Sequence, residues 1–218
     1  MANLDNEKDI HFNYYKLFWA FVIFSVLGFV FESVTFSLWY NKPLIFRGLI
    51  YGPFSQVYGF GAVLIIAYSR LFKNRGKLFF FVSSAFLGTV YEYLCSASQE
   101  AIFGFVTWHY NNMLLNINGR TSIPLALVWG LSGMLIVKYL FPFFSRLIDK
   151  VPVKLSRLAT WLMIIFISFD LFITAAAFTR QGERLKNIAA TNSFQVFLDN
   201  QYPDSFMKSI KPGLQVKK

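Results

Sequence analysis

Four carboxylates stand inside long apolar stretches of this chain: Glu32, Glu92, Glu100 and Asp170. An ionised acid at the centre of a membrane-crossing helix costs about 2.5 to 3.5 kcal/mol, so together they oppose insertion by roughly 10 kcal/mol unless paired, protonated or bathed in water. Their neighbours recur at helical spacing. Ser25, Gly28, Glu32 and Thr35 fall on one stripe, Gly88, Glu92, Ser96, Gln99 and Glu100 on another, and Asp170 and Thr174 lie one turn apart. Acids so placed face the interior of a helix bundle. There they bind an ion or substrate, act as acid/base groups, or serve as buried glue bonded to Tyr, Ser, Gln or a loop Arg; the residue types leave these uses open.

Arg47 and Arg120 are the counter-ions the pattern offers, each preceding a proline that opens an apolar stretch; loop solvation is the plainer use. Their loops, Arg47-Gly48-x2-Tyr51-Gly52-Pro53 and Asn116-x-Asn118-Gly119-Arg120, are turn-rich and carry no other charge. Flanked by apolar sequence, they are expected to dip between the helices, which irregular backbone tolerates only under protein cover or beside a watery cavity. Pro53 and Pro124 suit the first turn of a helix, whose free amides beside a guanidinium favour a carboxylate, phosphate or lipid headgroup; a tight structural corner is the alternative.

Other chemistries lack their residues. A single cysteine, Cys95, and two histidines, His11 and His109, make no metal site by themselves, so no metal or cofactor is expected. Gly76-Lys77 is followed by Leu78, so there is no phosphate-binding Gly-x4-Gly-Lys-Ser/Thr loop and no ATPase activity of the chain's own. Tyr58-Gly59-Phe60-Gly61 begins within an apolar stretch, after no strand, which excludes a dinucleotide fingerprint. No spacing links the scattered Ser, His and Asp residues into a catalytic triad.

The elements that must position these groups follow from composition. The chain has 218 residues, 56% hydrophobic and 15% charged, which is too apolar for a soluble protein of this size. A hydrocarbon core of about 30 Å needs roughly 20 apolar residues as helix. Five stretches meet that length, near Tyr14 to Tyr40, Pro53 to Phe72, Leu78 to Phe103, Ile123 to Phe144 and Leu158 to Thr179. The expected fold is therefore all-α, a polytopic membrane protein with five transmembrane helices. It has a polar N-terminus (1–13), a membrane domain (14–179) and a short C-terminal tail (180–218).

The formal charge of +10 reads as topology, and no nucleic-acid partner is expected. Arg70, Lys73, Arg75 and Lys77 fill one connection, and Lys138, Arg146, Lys150, Lys154 and Arg157 another; the alternate connections hold only Lys42, Arg47 and Arg120. This bias places the N-terminus in the cytoplasm of a cell (plasma) membrane, with the tail outside. The tail's own excess of Lys and Arg argues the other way. Tyr14, Tyr15 and Trp19 at one end, and Trp39, Tyr40, Trp108 and Tyr110 at the other, suit membrane interfaces. In the tail, Ser193 is expected to cap a short helix and Tyr202-Pro203-Asp204-Ser205 to turn into a second; either an interfacial helix or docking on the loops suits it.

An internal duplication also emerges. Leu27-Gly28-x-Val30-Phe31-Glu32 recurs as Leu87-Gly88-x-Val90-Tyr91-Glu92, and Pro53-x3-Val57-Tyr58-Gly59-x4-Leu64-Ile65 as Pro124-x3-Val128-Trp129-Gly130-x4-Leu135-Ile136. Repeat one covers 14–72 and repeat two 78–144, with a fifth helix at 158–179 outside them. Units of two spans enter the membrane in the same direction, so their axis lies along the membrane normal and Glu32 and Glu92 sit at similar depth.

Phe46-Arg47-Gly48-Leu49-Ile50-Tyr51-Gly52-Pro53-Phe54 leading into Tyr58-Gly59-Phe60-Gly61-Ala62 resembles the ABC-transporter type IV (CmpB-type) membrane proteins. Asn116-Ile117-Asn118-Gly119-Arg120 leading into Trp129-Gly130-Leu131 strengthens the likeness, as does Phe197-Leu198-Asp199 followed by Tyr202-Pro203-Asp204. It covers about residues 14 to 212 and departs at Ser55-Gln56, where the family tends to have Cys-Pro. The resemblance implies a transport permease of no fixed substrate.

Three functional readings stand at this level. The first is a transporter or permease component in the lipid bilayer, with a separate ATP-binding subunit on a basic loop and a site built from Glu32, Glu92, Arg47 and Arg120 between the repeats. The second is a membrane enzyme acting on a lipid or lipid-linked substrate, and the third a scaffold or sensor. A homodimer is compatible with all three, because two small repeats enclose little volume.

Overall fold

A computed structural model describes residues 13–39, 41–72 and 75–211. Residues 1–12 of the expected polar N-terminus, Tyr40 and Lys73 lie outside the described residues, as does the side chain of Trp39. Helix α1 spans Tyr14–Trp39, α2 Gln56–Leu71 and α3 Lys77–Phe103. After a two-residue hairpin, β1 (Asn116–Ile117) with β2 (Thr121–Ser122), come α4 (Ile123–Leu135), a π-turn at Ile136–Leu140 and α5 (Phe141–Asp149). Helix α6 (Val153–Leu185) leads to the tail helices α7 (Ser193–Gln201) and α8 (Asp204–Ile210).

Among the described residues, four helical segments are long and apolar enough to cross a membrane: Tyr14–Leu38, Lys77–Phe103, Ile123–Asp149 and Lys154–Leu185. The stretch expected from Pro53 to Phe72 is instead the 16-residue apolar helix α2, about 24 Å long at 1.5 Å per residue. Pro53 therefore lies in the loop ahead of α2 and not in its first turn. Gly52 takes a φ of +73°, and the Phe54 carbonyl accepts from the N–H groups of Gly48 and Leu49, so the chain is still turning when a helix could otherwise begin. Pro124 does occupy the first turn of α4.

Among the described residues, the all-α expectation is corrected only by the hairpin. Asn118 and Gly119 both hold positive φ, and the Arg120 N–H donates to the Ile117 carbonyl at 3.0 Å, an Asn-Gly turn of the kind that joins adjacent strands. The fourth span has its own irregularity. Phe141 donates its N–H to Ile136, five residues back, immediately before Pro142, which has no N–H to give.

The helices pair as α1 with α2 and α3 with α4, through close contacts at small residues. A Cβ on Gly28 would come within 2.3 Å of Tyr58, and one on Gly88 within 2.3 Å of Trp129. Phe21 abuts Gly59 as Phe81 abuts Gly130. At one end of the bundle the buried ammonium of Lys16 meets Asp149 at 2.8 Å, and Trp19 donates to Thr160 at 2.9 Å, joining the starts of α1 and α6.

The tail docks at the opposite end. Ile50 from the first loop, Phe105 from the second, Ile173, Ala177 and Phe178 of α6, and Leu198, Tyr202, Met207 and Ile210 of the tail form one core cluster. Arg180 clasps Asp199 through two bonds of 2.9 Å, and Arg184 bridges Asp199 and Asp204. The charge of Asp199 is stabilised by Arg180 first, which holds its carboxyl below the ordinary value. Docking on the loops is thus the observed arrangement of the tail. Asn192, not Ser193, caps α7, its side chain accepting the Gln195 N–H at 2.9 Å.

Candidate functional site

Glu32 near the end of α1 and Glu92 in α3 line one cavity of about 260 Å³. The repeating Gly28/Tyr58 and Gly88/Trp129 contacts aim both acids inward, one helical turn beyond each glycine. Tyr58, Trp108, Tyr110 and Trp129 supply aromatic walls, and Lys211 reaches in from the tail. Leu27, Phe31, Val128 and Leu135 frame the mouth, each at least 39% exposed on the outer surface of its helix. Leu135, Ile136 and Leu140 place the π-turn on the wall.

The two acids have different partners. Glu32 accepts the Lys211 ammonium at 3.0 Å and the Ser55 hydroxyl at 3.2 Å, and this pair is almost wholly enclosed. Among the described residues Glu92 accepts only neutral donors: Tyr110 at 3.1 Å on one oxygen, Thr121 at 3.0 Å and Trp129 at 3.3 Å on the other. An indole N–H can only donate, so Oε2 of Glu92 is an acceptor from both Thr121 and Trp129. Burial pushes the Tyr110 hydroxyl well above its ordinary value, and the Glu92 charge adds to the effect, so the phenol remains a donor.

Of the expected counter-ions, Arg120 serves Glu100, and neither Arg47 nor Arg120 pairs with Glu32 or Glu92 among the described residues. Arg120 pairs with Glu100, bonds Ser96 at 3.2 Å and lies over the Tyr93 ring, so Glu100 and Arg120 form a neutral unit beside the hairpin. Arg47 makes no ion pair among the described residues; its N–H donates to the Ile210 carbonyl at 3.0 Å, and the cation on Glu32 is Lys211. Asp170 is fully buried in α6 and holds the first loop: it accepts the Tyr51 N–H at 3.1 Å and the Thr174 hydroxyl at 3.2 Å.

The loop motif residues are likewise structural contacts. Gly48 leaves no room for a Cβ beside Gln56, and the Tyr51 and Tyr202 hydroxyls meet at 2.7 Å. Asn116 bonds the Gly119 N–H at 3.0 Å and Asn118 bonds the Tyr93 hydroxyl at 3.0 Å, which shapes the hairpin. Trp108 and Tyr110, expected to suit a membrane interface, line the cavity wall. A smaller cavity of about 120 Å³ adjoins the first and shares Ser55, Val57, Trp108 and Lys211 with it. No group of three potential metal ligands occurs among the described residues.

No curated protein and no solved structure matches the chain. The family model described as Putative ABC-transporter type IV matches residues 19–175, which include every residue lining the Glu32–Glu92 cavity except Lys211. With well over half its length matched and four apolar helices of membrane-crossing length, the chain is a multi-pass membrane protein that belongs to the putative ABC-transporter type IV family.

Proposed function

We propose that this chain is the membrane-embedded component of a transporter and that its substrate passes between two parallel two-helix units. The observation that carries the reading is that Glu32 and Glu92, from different units, line one cavity. Intramembrane acids are retained where an ion or substrate uses them. The adjoining smaller cavity extends the space toward the tail, with Lys211 at the junction.

Five crossings and an internal duplication belong to the same reading. The matched Gly28/Tyr58 and Gly88/Trp129 contacts, and Phe21/Gly59 with Phe81/Gly130, support two copies of one helix pair. The tail packs at the end opposite the Lys16–Asp149 pair, which supports α2 as a short crossing. The basic connections lie at the Lys16 end, so the N-terminus is cytoplasmic in a plasma membrane and a separate ATP-binding subunit docks there. The chain itself lacks a P-loop and supplies no ATPase activity.

The apolar mouth favours one second reading, an enzyme acting on a lipid or lipid-linked substrate with Glu92 as its acid/base group. Solute and lipid contents compared between cells carrying the wild-type chain, Glu92→Gln and no chain discriminate the two. Transport predicts a changed solute pool with an unchanged lipid profile; a lipid that accumulates only without Glu92 sinks it. Purification in mild detergent is expected to retain an ATP-binding subunit.

A further inference from the structure

We infer that the cavity binds a lipophilic organic cation, an ammonium on an apolar or aromatic body, and that the Lys211 ammonium is its tethered stand-in. This rests on the proposed reading of the same cavity as a substrate site. The lining holds two carboxylates and one ammonium, and Arg120 is already committed to Glu100. With both acids ionised the cavity keeps, among the described residues, one uncompensated negative charge, at Glu92, whose three partners there are all neutral. A cation brought between the acids supplies what those donors do not.

Lys211 shows how the protein holds such a group. Its Nζ lies 3.0 Å from Glu32 and 5.8 Å from the centre of the Phe46 ring, a carboxylate and an aromatic face acting together on one primary ammonium. Tyr58, Trp108 and Trp129 offer further aromatic surface deeper in the space. An anion would find two repelling carboxylates and an ammonium already held by one of them. The mouth selects in the same direction, because its Leu27, Phe31, Val128 and Leu135 rim admits an apolar body from the bilayer side.

The test uses the full chain in lipid nanodiscs with 2-phenylethylamine as probe, and phenylacetate and 2-phenylethanol as charge-changed controls, read by calorimetry and by the fluorescence of Trp108 and Trp129. The amine is expected to bind at least about tenfold more tightly than either control, and Glu92→Gln to weaken it by about tenfold or more. Lys211→Gln, which frees Glu32, is expected to tighten the amine, and the amine to raise the melting temperature of that variant more than that of the wild type. If Glu92→Gln does not fold, Glu32→Gln in the Lys211→Gln background replaces it and is expected to abolish the gain. Phenylacetate binding as tightly as the amine overturns the inference, as does amine binding indifferent to every substitution, the signature of partition into lipid. Amine binding without flux in proteoliposomes upholds the inference and removes the transport reading. Transport of another solute without amine binding does the reverse.

Discussion

Asp170, in the middle of α6, accepts the backbone N–H of Tyr51 at 3.1 Å, while its neighbour Thr174 accepts the N–H of Ile50 at 3.0 Å. The acid in the apolar helix thus serves the loop between α1 and α2, whose amides would otherwise be buried without acceptors. That loop carries Ser55, which bonds Glu32, so the shape of the cavity depends on α6 although α6 contributes no side chain to its wall.

Asp170→Ala is expected to destabilise the protein by about 1.5 to 3 kcal/mol, the range for hydrogen bonds to a charged group. Asp170→Asn, which keeps one carbonyl oxygen for Tyr51, is expected to cost less. Thermal unfolding in detergent measures both, and equal melting temperatures for Asp170→Ala and wild type would refute the loop-anchoring role.

Close packing at Gly28 and Gly88 makes a second prediction. Gly28→Ala and Gly88→Ala each push a methyl into an aromatic ring and are expected to cost about 1 to 3 kcal/mol, as overpacking does. Gly76→Ala is the control, because nothing lies within 4 Å of its added Cβ. Matching losses at Gly28 and Gly88 with none at Gly76, again by thermal unfolding, are the expected pattern. Tolerance at Gly88 would mean that α3 and α4 separate easily.

Much of this arrangement was legible in the chain itself, for stated reasons. Glu32 and Glu92 each follow a glycine by four residues, and a 3.6-residue period then sets acid and close contact on one face. The partner of Glu32 was not legible, because Lys211 lies 179 residues away and reaches it only through tail docking. Trp108 and Tyr110 suit a membrane interface and a polar cavity wall equally well by type; their place on the cavity wall emerges only with the hairpin, which sets Thr121 beside Tyr110 on the same acid. Arg47 and Arg120 each precede a proline in a turn-rich loop, yet a guanidinium pairs with the nearest carboxylate, and for Arg120 that is Glu100.

The tail clasp gives a pH dependence of definite sign. Arg180 holds the Asp199 carboxyl below its ordinary value of 3.8, so the contribution to docking is complete above that value and is lost as pH falls through the lower folded value. Protection of the tail against limited proteolysis is expected to hold from neutral pH down to the ordinary carboxylate value of 3.8 and to fail as pH falls further. Asp199→Asn is expected to remove that step and to leave the tail less protected at neutral pH, with Arg180 still bonded to Glu183. An unchanged acid profile in that variant would assign the step to another group.

The Lys211–Glu32 pair lends itself to a double-mutant cycle. Removing either partner leaves the other charge enclosed, with side-chain exposures of only 8% and 11%, so Lys211→Met and Glu32→Gln are each expected to cost about 3 to 5 kcal/mol. The double variant leaves neither charge and is expected to cost less than the sum, by a coupling of about 1 to 3 kcal/mol. Lys211→Met is also expected to speed proteolysis of the tail, because the ion pair and the Arg47–Ile210 backbone bond are neighbouring anchors of the last turn of α8. Additive losses in unfolding, with no change in tail protection, would show that the ammonium does not hold the tail to the cavity.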